Sequence, residues 1–289
     1  MLPSPPDPFP PVLSHFQVKP LLAARRADQR QARLSLDLGR SAVEVTLEPQ
    51  GVRLPQGELL AWDLLERIAA EENACFLVQG GELAKIQRFS PEFNRVYTLY
   101  PTPGPPTLLI SGIPMHRIKG TDPGKDTQAK IRAAGPFTGP VLDTSTGLGY
   151  TAIQAAQQAE QVVTIELDPV VLEVAALNPW SQELFRNPRI QQHIGDSADV
   201  VPTLSAEHFA QAIHDPPMFS LAGHLYSTAF YRELWRVLRH RGTLYHYIGN
   251  PKSKSGRNVT RGVARRLEEA GFVRIRPVPR AFGVIAYKP

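Results

Sequence analysis

Residues 141–150 read Val-Leu-Asp-Thr-Ser-Thr-Gly-Leu-Gly-Tyr, and this stretch decides the fold. An apolar strand ends in an acid, Asp143, and a turn carrying Gly147 and Gly149 leads into a helix. Glycine takes backbone angles closed to other residues and lets the chain approach a ligand. Open α/β sheets bind ligands beyond the carboxyl ends of their strands, which is where this turn falls. The spacing departs from the G-x-G-x-x-G of dinucleotide binders. A carboxylate at the strand tip repels phosphate and attracts a cationic amine.

Working outward, the chain from Asp126 alternates helix and strand. Helices are expected at Asp126–Ala134, Tyr150–Ala159, Pro169–Leu177, Tyr226–Leu238 and Val259–Ala270. Strands are expected at Val141–Asp143, Gln161–Glu166, Ile190–His193, Gln211–His214, Thr243–Ile248, Val273–Arg276 and Phe282–Tyr287. Repeated βα units imply a mainly parallel sheet covered on both faces. The short Pro277–Arg280 connection cannot hold a crossover helix, so the two closing strands should pair antiparallel.

Three more acids stand at strand ends. Glu166, 23 positions after Asp143, sits where a carboxylate takes ribose hydroxyls, with Leu167 and Asp168 beside it. Asp168 before Pro169 also reads as a helix cap. Asp196, followed by Ser197, lies in His193-Ile-Gly-Asp-Ser-Ala-Asp199, and Asp215 in Ile213-His-Asp-Pro-Pro-Met-Phe219. Pro216 and Pro217 fix an extended turn that aims Asp215 and nearby carbonyls. That suits a group accepting hydrogen bonds from an amine being alkylated.

These four segments, in order and spacing, resemble the class I S-adenosylmethionine-dependent methyltransferases over residues 126–287. The wider segment Ser111–Pro123 with the sheet behind it also resembles a group of predicted archaeal methyltransferases of unassigned substrate. The resemblance implies a Rossmann-like α/β fold with a seven-stranded sheet whose last strand is antiparallel. It implies S-adenosylmethionine as cofactor, which carries an amine and a sulfonium and no phosphate. Asp143, Thr144, Gly147 and Gly149 would hold its methionine part, Glu166 its ribose, and Asp196 and Ser197 its adenine, which Leu167 and Asp168 would flank. His-Asp-Pro-Pro-Met is similar to the Asp/Asn-Pro-Pro-aromatic motif of amino-group methyltransferases. Met218 takes the aromatic's place and Phe219 follows, which puts nucleobase or amide specificity in doubt.

Asp215 is the first candidate for orienting the acceptor, with His214 and His116 as candidate proton acceptors because histidine titrates near neutral pH. Pro216, Pro217, Phe219, Arg117 and Lys252 are candidate acceptor-binding residues. Arg117 belongs to a cationic loop, His116-Arg-Ile-Lys119, and Lys252 to a basic run with Lys254, Arg257, Arg261, Arg265 and Arg266. The formal charge of +5 favours an anionic acceptor, RNA or a small metabolite methylated on nitrogen or oxygen.

Upstream, six prolines between Pro3 and Pro11 suggest that residues 1–30 form a proline-rich tail. Residues 31–110 read as a small α/β domain, and 111–289 as the methyltransferase domain. The small domain opens with a hairpin around Gly39-Arg40-Ser41. A helix face over Glu58–Ala70 and strands at Ala74–Val78, Leu83–Phe89, Val96–Tyr100 and Thr107–Ile110 follow. The proline-rich Pro101–Pro106 marks its boundary. The single cysteine, Cys75, lies in an apolar run and reads as buried and inert. The eight histidines show no paired metal-ligand spacing, and no apolar run is long enough for a bilayer. A cytoplasmic location follows as the expectation, with a homo-oligomer open. Two rivals stand beside the methyltransferase. One is an aminopropyltransferase like spermidine synthase, whose Gly-Gly-Gly-Asp-Gly pattern the first loop lacks. The other is a non-catalytic RNA-binding module.

Overall fold

The computed structural model describes residues 2–250 and 254–289. They form two compact units, Met1–Gly124 with Val170–Phe185, and Lys125–Pro169 with Arg186–Pro289.

The second unit is built on one seven-stranded sheet: β1 (Val141–Asp143), β2 (Val162–Glu166), β3 (Ile190–Ile194), β4 (Phe209–His214), β5 (Leu238–Tyr247), β6 (Val273–Val278) and β7 (Gly283–Tyr287). Their order is β3-β2-β1-β4-β5-β7-β6. β1 to β5 run parallel, and β7 pairs antiparallel with both β5 and β6, as the short connection predicts. The chain winds outward from β1 to β3 and then returns to β4 on the other side. The strand order therefore reverses between β1 and β4, the place where such sheets open a crevice. Asp143 is in register with Thr164 of β2 and Ile213 of β4, so its tip faces that crevice.

The helices used below are α1 (Pro123–Ala134), α2 (Tyr150–Ala155), α3 (Ser197–Val200), α4 (Thr228–Val237) and α5 (Lys254–Glu269). α4 starts where the Ser227 hydroxyl accepts from the Phe230 N–H at 3.1 Å. It turns Phe230, Tyr231, Leu234 and Val237 onto the sheet, where they meet Leu142, Ile165, Leu244 and Ala286 and, from α5, Val263 and Leu267. Each such leucine stabilises the fold by about 2 kcal/mol on burial. This core fixes the strand ends that carry the acids.

Among the described residues the first unit holds three antiparallel sheets, and the helices His15–Arg26 and Trp62–Ala70 pack with them around Leu13, Val18, Leu34, Val52, Leu65 and Ile68. It departs from the sequence reading in three places. Residues 15–26 are a helix rather than more of a tail, with Val18 and Leu21 fully buried. The prolines stop at Pro11. Ser14 and Gln17 then close a capping box that starts the helix in spite of Pro20. Leu83–Phe89 is two strands, Glu82–Lys85 and Gln87–Ser90, in different sheets. Residues 59–61 are a strand, and the helix begins at Trp62. The proline-rich 101–106 segment links two paired strands, Arg95–Tyr100 and Thr107–Ile110, which keeps it inside the unit. Cys75 is fully buried and burial raises its thiol pKa, leaving it inert. No helix of the described residues is long and apolar enough to cross a membrane.

Candidate active site

The loop after β1 is held by backbone bonds on both sides. The Thr144 N–H donates to the Ile213 carbonyl at 3.0 Å, and the Thr146 N–H to that of Ile165 at 2.9 Å. Gly147 (φ +53°) and Gly149 (φ +76°) take left-handed backbone, and a Cβ built on Gly147 meets nothing within 4 Å. The loop thus presents open space above a rigid base.

Asp143 has no exposed surface. Its carboxylate accepts from the hydroxyls of Thr151 at 2.9 Å and Thr164 at 3.3 Å and from the Ser145 N–H at 3.4 Å. Burial nevertheless outweighs these bonds and pushes its pKa up to about 7. Glu166, partly buried, accepts from the Gly147 N–H at 2.8 Å and the Asp168 N–H at 3.2 Å. Burial pushes its pKa up to about 7 as well. One glycine loop is therefore flanked by two carboxyl groups whose burial outweighs the hydrogen bonds they accept, a setting that favours a cationic ligand.

Asp196 caps α3 by accepting from the Ala198 N–H at 2.8 Å, and its other oxygen meets His224 Nε2 at 2.8 Å. The Ser197 hydroxyl donates to the Thr144 carbonyl at 2.7 Å, tying β3's end to the glycine loop. Leu167 is half-buried beside Glu166.

Asp215 follows β4. Its Oδ2 lies 2.6 Å from the Lys130 ammonium of α1, and the same ammonium lies 3.1 Å from Asp126. Sequence reasoning missed both partners. Their i, i+4 spacing on one helix was a visible signal for an ion pair, but nothing local announced a partner 85 positions away. After Asp215, Pro216 is buried, and the Pro217 carbonyl accepts from the Tyr226 hydroxyl at 3.1 Å. Met218 and Phe219 are about half exposed, with Phe219 edge-on to Tyr226 at 5.4 Å. They place an apolar, partly aromatic surface next in the chain after the acid.

The structure corrects His214. It has no exposed surface, and both ring nitrogens are used: Nε2 donates to the Leu225 carbonyl at 3.0 Å and Nδ1 accepts from the Thr144 hydroxyl at 2.7 Å. Burial pushes its pKa down to about 3. It braces the loop and has no nitrogen left to take a substrate proton. His246 beside it is also buried, its Nε2 accepting from the Tyr231 hydroxyl at 2.9 Å, and burial lowers its pKa well below the usual value. Alternation along a strand could not have told these rings from exposed ones.

His116, Arg117 and Lys119 belong to the first unit, where His116 Nδ1 meets the Thr107 hydroxyl at 2.9 Å. Lys252 lies outside the described residues. Among the described residues, no cluster of three His, Cys, Asp or Glu could hold a metal ion.

No known protein-family model matches the chain. An uncharacterized protein of Methanocaldococcus jannaschii is 44% identical over 262 residues, 89% of each chain. A polyamine aminopropyltransferase of Mycobacterium tuberculosis is 31% identical over 120 residues, 39% of this chain and 23% of that one. A human tRNA (uracil-5-)-methyltransferase homolog is 34% identical over 84 residues, 28% and 13% of the two chains. Among solved structures, a spermidine synthase in complex with a transition-state analogue superposes with a TM-score of 0.57 at 19% identity. The match covers 70% of this chain and 72% of that one, and shows a shared fold. Identity that high over nearly the whole length is decisive: the chain belongs to the same protein family as the uncharacterized Methanocaldococcus jannaschii protein.

Proposed function

We propose that this protein is an S-adenosylmethionine-dependent methyltransferase whose site lies at the carboxyl ends of β1, β2, β3 and β4. The observation that carries the reading is the glycine loop flanked by Asp143 and Glu166, two carboxyl groups with raised pKa values next to open space. These residues fit the group: an amine and a sulfonium are positive, and ribose hydroxyls are donors to a carboxylate. When bound, the cofactor supplies a methyl group made electrophilic by its sulfonium. Asp143 and the 144–149 loop would hold the amino-acid end, Glu166 the ribose, and Asp196 and Ser197 the adenine, with Leu167 beside it. Asp215 orients the acceptor, with Pro216, Pro217 and Phe219 shaping its place. The protein's share of catalysis is then orientation and exclusion of water.

The acceptor is read as anionic. Residues 251–289 hold ten lysines and arginines against two acids, far more basic than the chain as a whole. RNA or a small anionic metabolite fits that charge.

The shared fold with spermidine synthase favours one second reading, an aminopropyltransferase using decarboxylated S-adenosylmethionine. Calorimetric titration separates the two. Micromolar binding of S-adenosylmethionine and S-adenosylhomocysteine is expected, with the decarboxylated form at least tenfold weaker. The reverse preference makes the protein an aminopropyltransferase, and no binding of the three leaves a non-catalytic module.

A companion test uses Gly147→Val. Its left-handed backbone costs a branched side chain about 1–2 kcal/mol, which should lower the melting temperature by about 2–6 °C. Space for the side chain exists in the free protein, so the fold survives. Affinity for S-adenosylmethionine should fall more than tenfold. Unchanged affinity would remove the loop from the binding site.

A further inference from the structure

Lys130 has no place in the sequence reading, and its surroundings are unusual. The side chain is 2% exposed and lies between the carboxylates of Asp126 (0% exposed) and Asp215 (19%). Its ammonium also sits 4.5 Å from the centre of the Tyr247 ring. Burying an ammonium costs several kcal/mol unless opposite charges hold it. Burial does oppose the charge here, but the two carboxylates outweigh it and keep Lys130 protonated above its ordinary range. Asp126 alone would nearly neutralise a buried lysine, so its pairing with Asp215 as well has a purpose beyond burial.

We infer that Lys130 is a positioning residue that fixes Asp215 as an ionised, oriented hydrogen-bond acceptor for an N–H or O–H of the methyl acceptor. This rests on the methyltransferase reading, in which Asp215 faces the acceptor. A carboxylate 2.6 Å from a buried ammonium is a poor base. Its contribution is direction: two prolines fix the turn on one side and the ammonium grips one oxygen from the other. Selection then favours an acceptor atom that is nucleophilic before it loses its proton, such as a neutral amine nitrogen, over a hydroxyl that must first be deprotonated. The charged and titratable groups that face Asp215 come from several elements. They include Lys130 from α1, Asp143 at the end of β1 and Tyr226 before α4, while Tyr247 of β5 lies against the Lys130 ammonium.

The test is a carbon-detected NMR titration of the full-length protein labelled in its aspartate carboxyls, with the Asp215 signal assigned through Asp215→Asn. Lys130→Met alone would strand Asp126 in the core, so the deciding variant is Asp126→Asn with Lys130→Met, which keeps the local net charge. Asp215 should titrate about 1–3 pH units lower in the wild type than in the double variant. Lys130→Arg should return it to the wild-type value. An unmoved Asp215 titration in the double variant overturns the inference. Calorimetry of the wild type with S-adenosylmethionine is run alongside. Failure to bind removes the methyltransferase reading, while the titration still decides whether Lys130 governs the state of Asp215.

Discussion

Glu166→Ala is expected to weaken S-adenosylmethionine binding by at least about 100-fold, read by calorimetry at pH 8. Hydrogen bonds to a charged acceptor contribute about 1.5–3 kcal/mol each, and two ribose hydroxyls would donate to this carboxylate. Their joint loss of about 3 kcal/mol or more corresponds to that factor. The apoprotein should not suffer, because the carboxyl is already disfavoured by its burial, which pushes its pKa up to about 7. The backbone N–H groups of Gly147, Asp168 and Leu167 lose a partner. Glu166→Gln, which keeps one acceptor oxygen, should fall between. In the wild type, affinity should drop as the pH is lowered below about 7, since binding needs the ionised form. A Glu166→Ala protein that binds like the wild type would place the cofactor elsewhere.

The second large effect concerns stability against pH, and it appears only when one half of a balance is removed. His214, with a folded pKa of about 3 against the usual 6.5, is neutral when folded and protonates when unfolded, so its contribution is lost as pH falls below 6.5. His246 has the same sign. Asp143 and Glu166 act oppositely. Their folded pKa values of about 7 exceed the unfolded ones, so the stability they give is present at low pH and lost as pH rises toward 7. From pH 6.5 to 5 His214 contributes about 1.5–2 kcal/mol in one direction and Asp143 and Glu166 each about that much in the other, with His246 adding to the histidine side. The wild-type apoprotein should therefore show a nearly level unfolding free energy over that interval. Asp143→Asn with Glu166→Gln should lose stability over it, by more than the contribution of about 1.5 kcal/mol that His214 alone supplies. Urea denaturation at the two pH values decides. A sloping wild type with a level double variant would contradict the account.

Much of this was legible in the chain. The four strand-end acids could be read because a strand followed by a polar turn has a local pattern, and the closing antiparallel pair because its connection is short. Two features had local signals that went unweighed: the Ser14-x-x-Gln17 box that starts a helix after the prolines, and the Asp126/Lys130 spacing. Others had none. The burial of His214 and His246 depends on α4 crossing their strands, and the grip of Lys130 on Asp215 depends on how α1 meets the sheet.

Residues 170–185 leave the second unit directly after Glu166-Leu167-Asp168-Pro169 and fold into the first. There the Arg40 guanidinium bonds the Pro179 carbonyl, and Trp180 Nε1 donates to the Leu38 carbonyl at 3.1 Å. The two units are consequently not beads on a string. A gene rearrangement that replaced the first unit at residue 124 would take away the partners of a segment encoded well inside the second. The same joint would carry that damage to within a few residues of Glu166. An exchange of the first unit between proteins would therefore have to carry residues 170–185 with it.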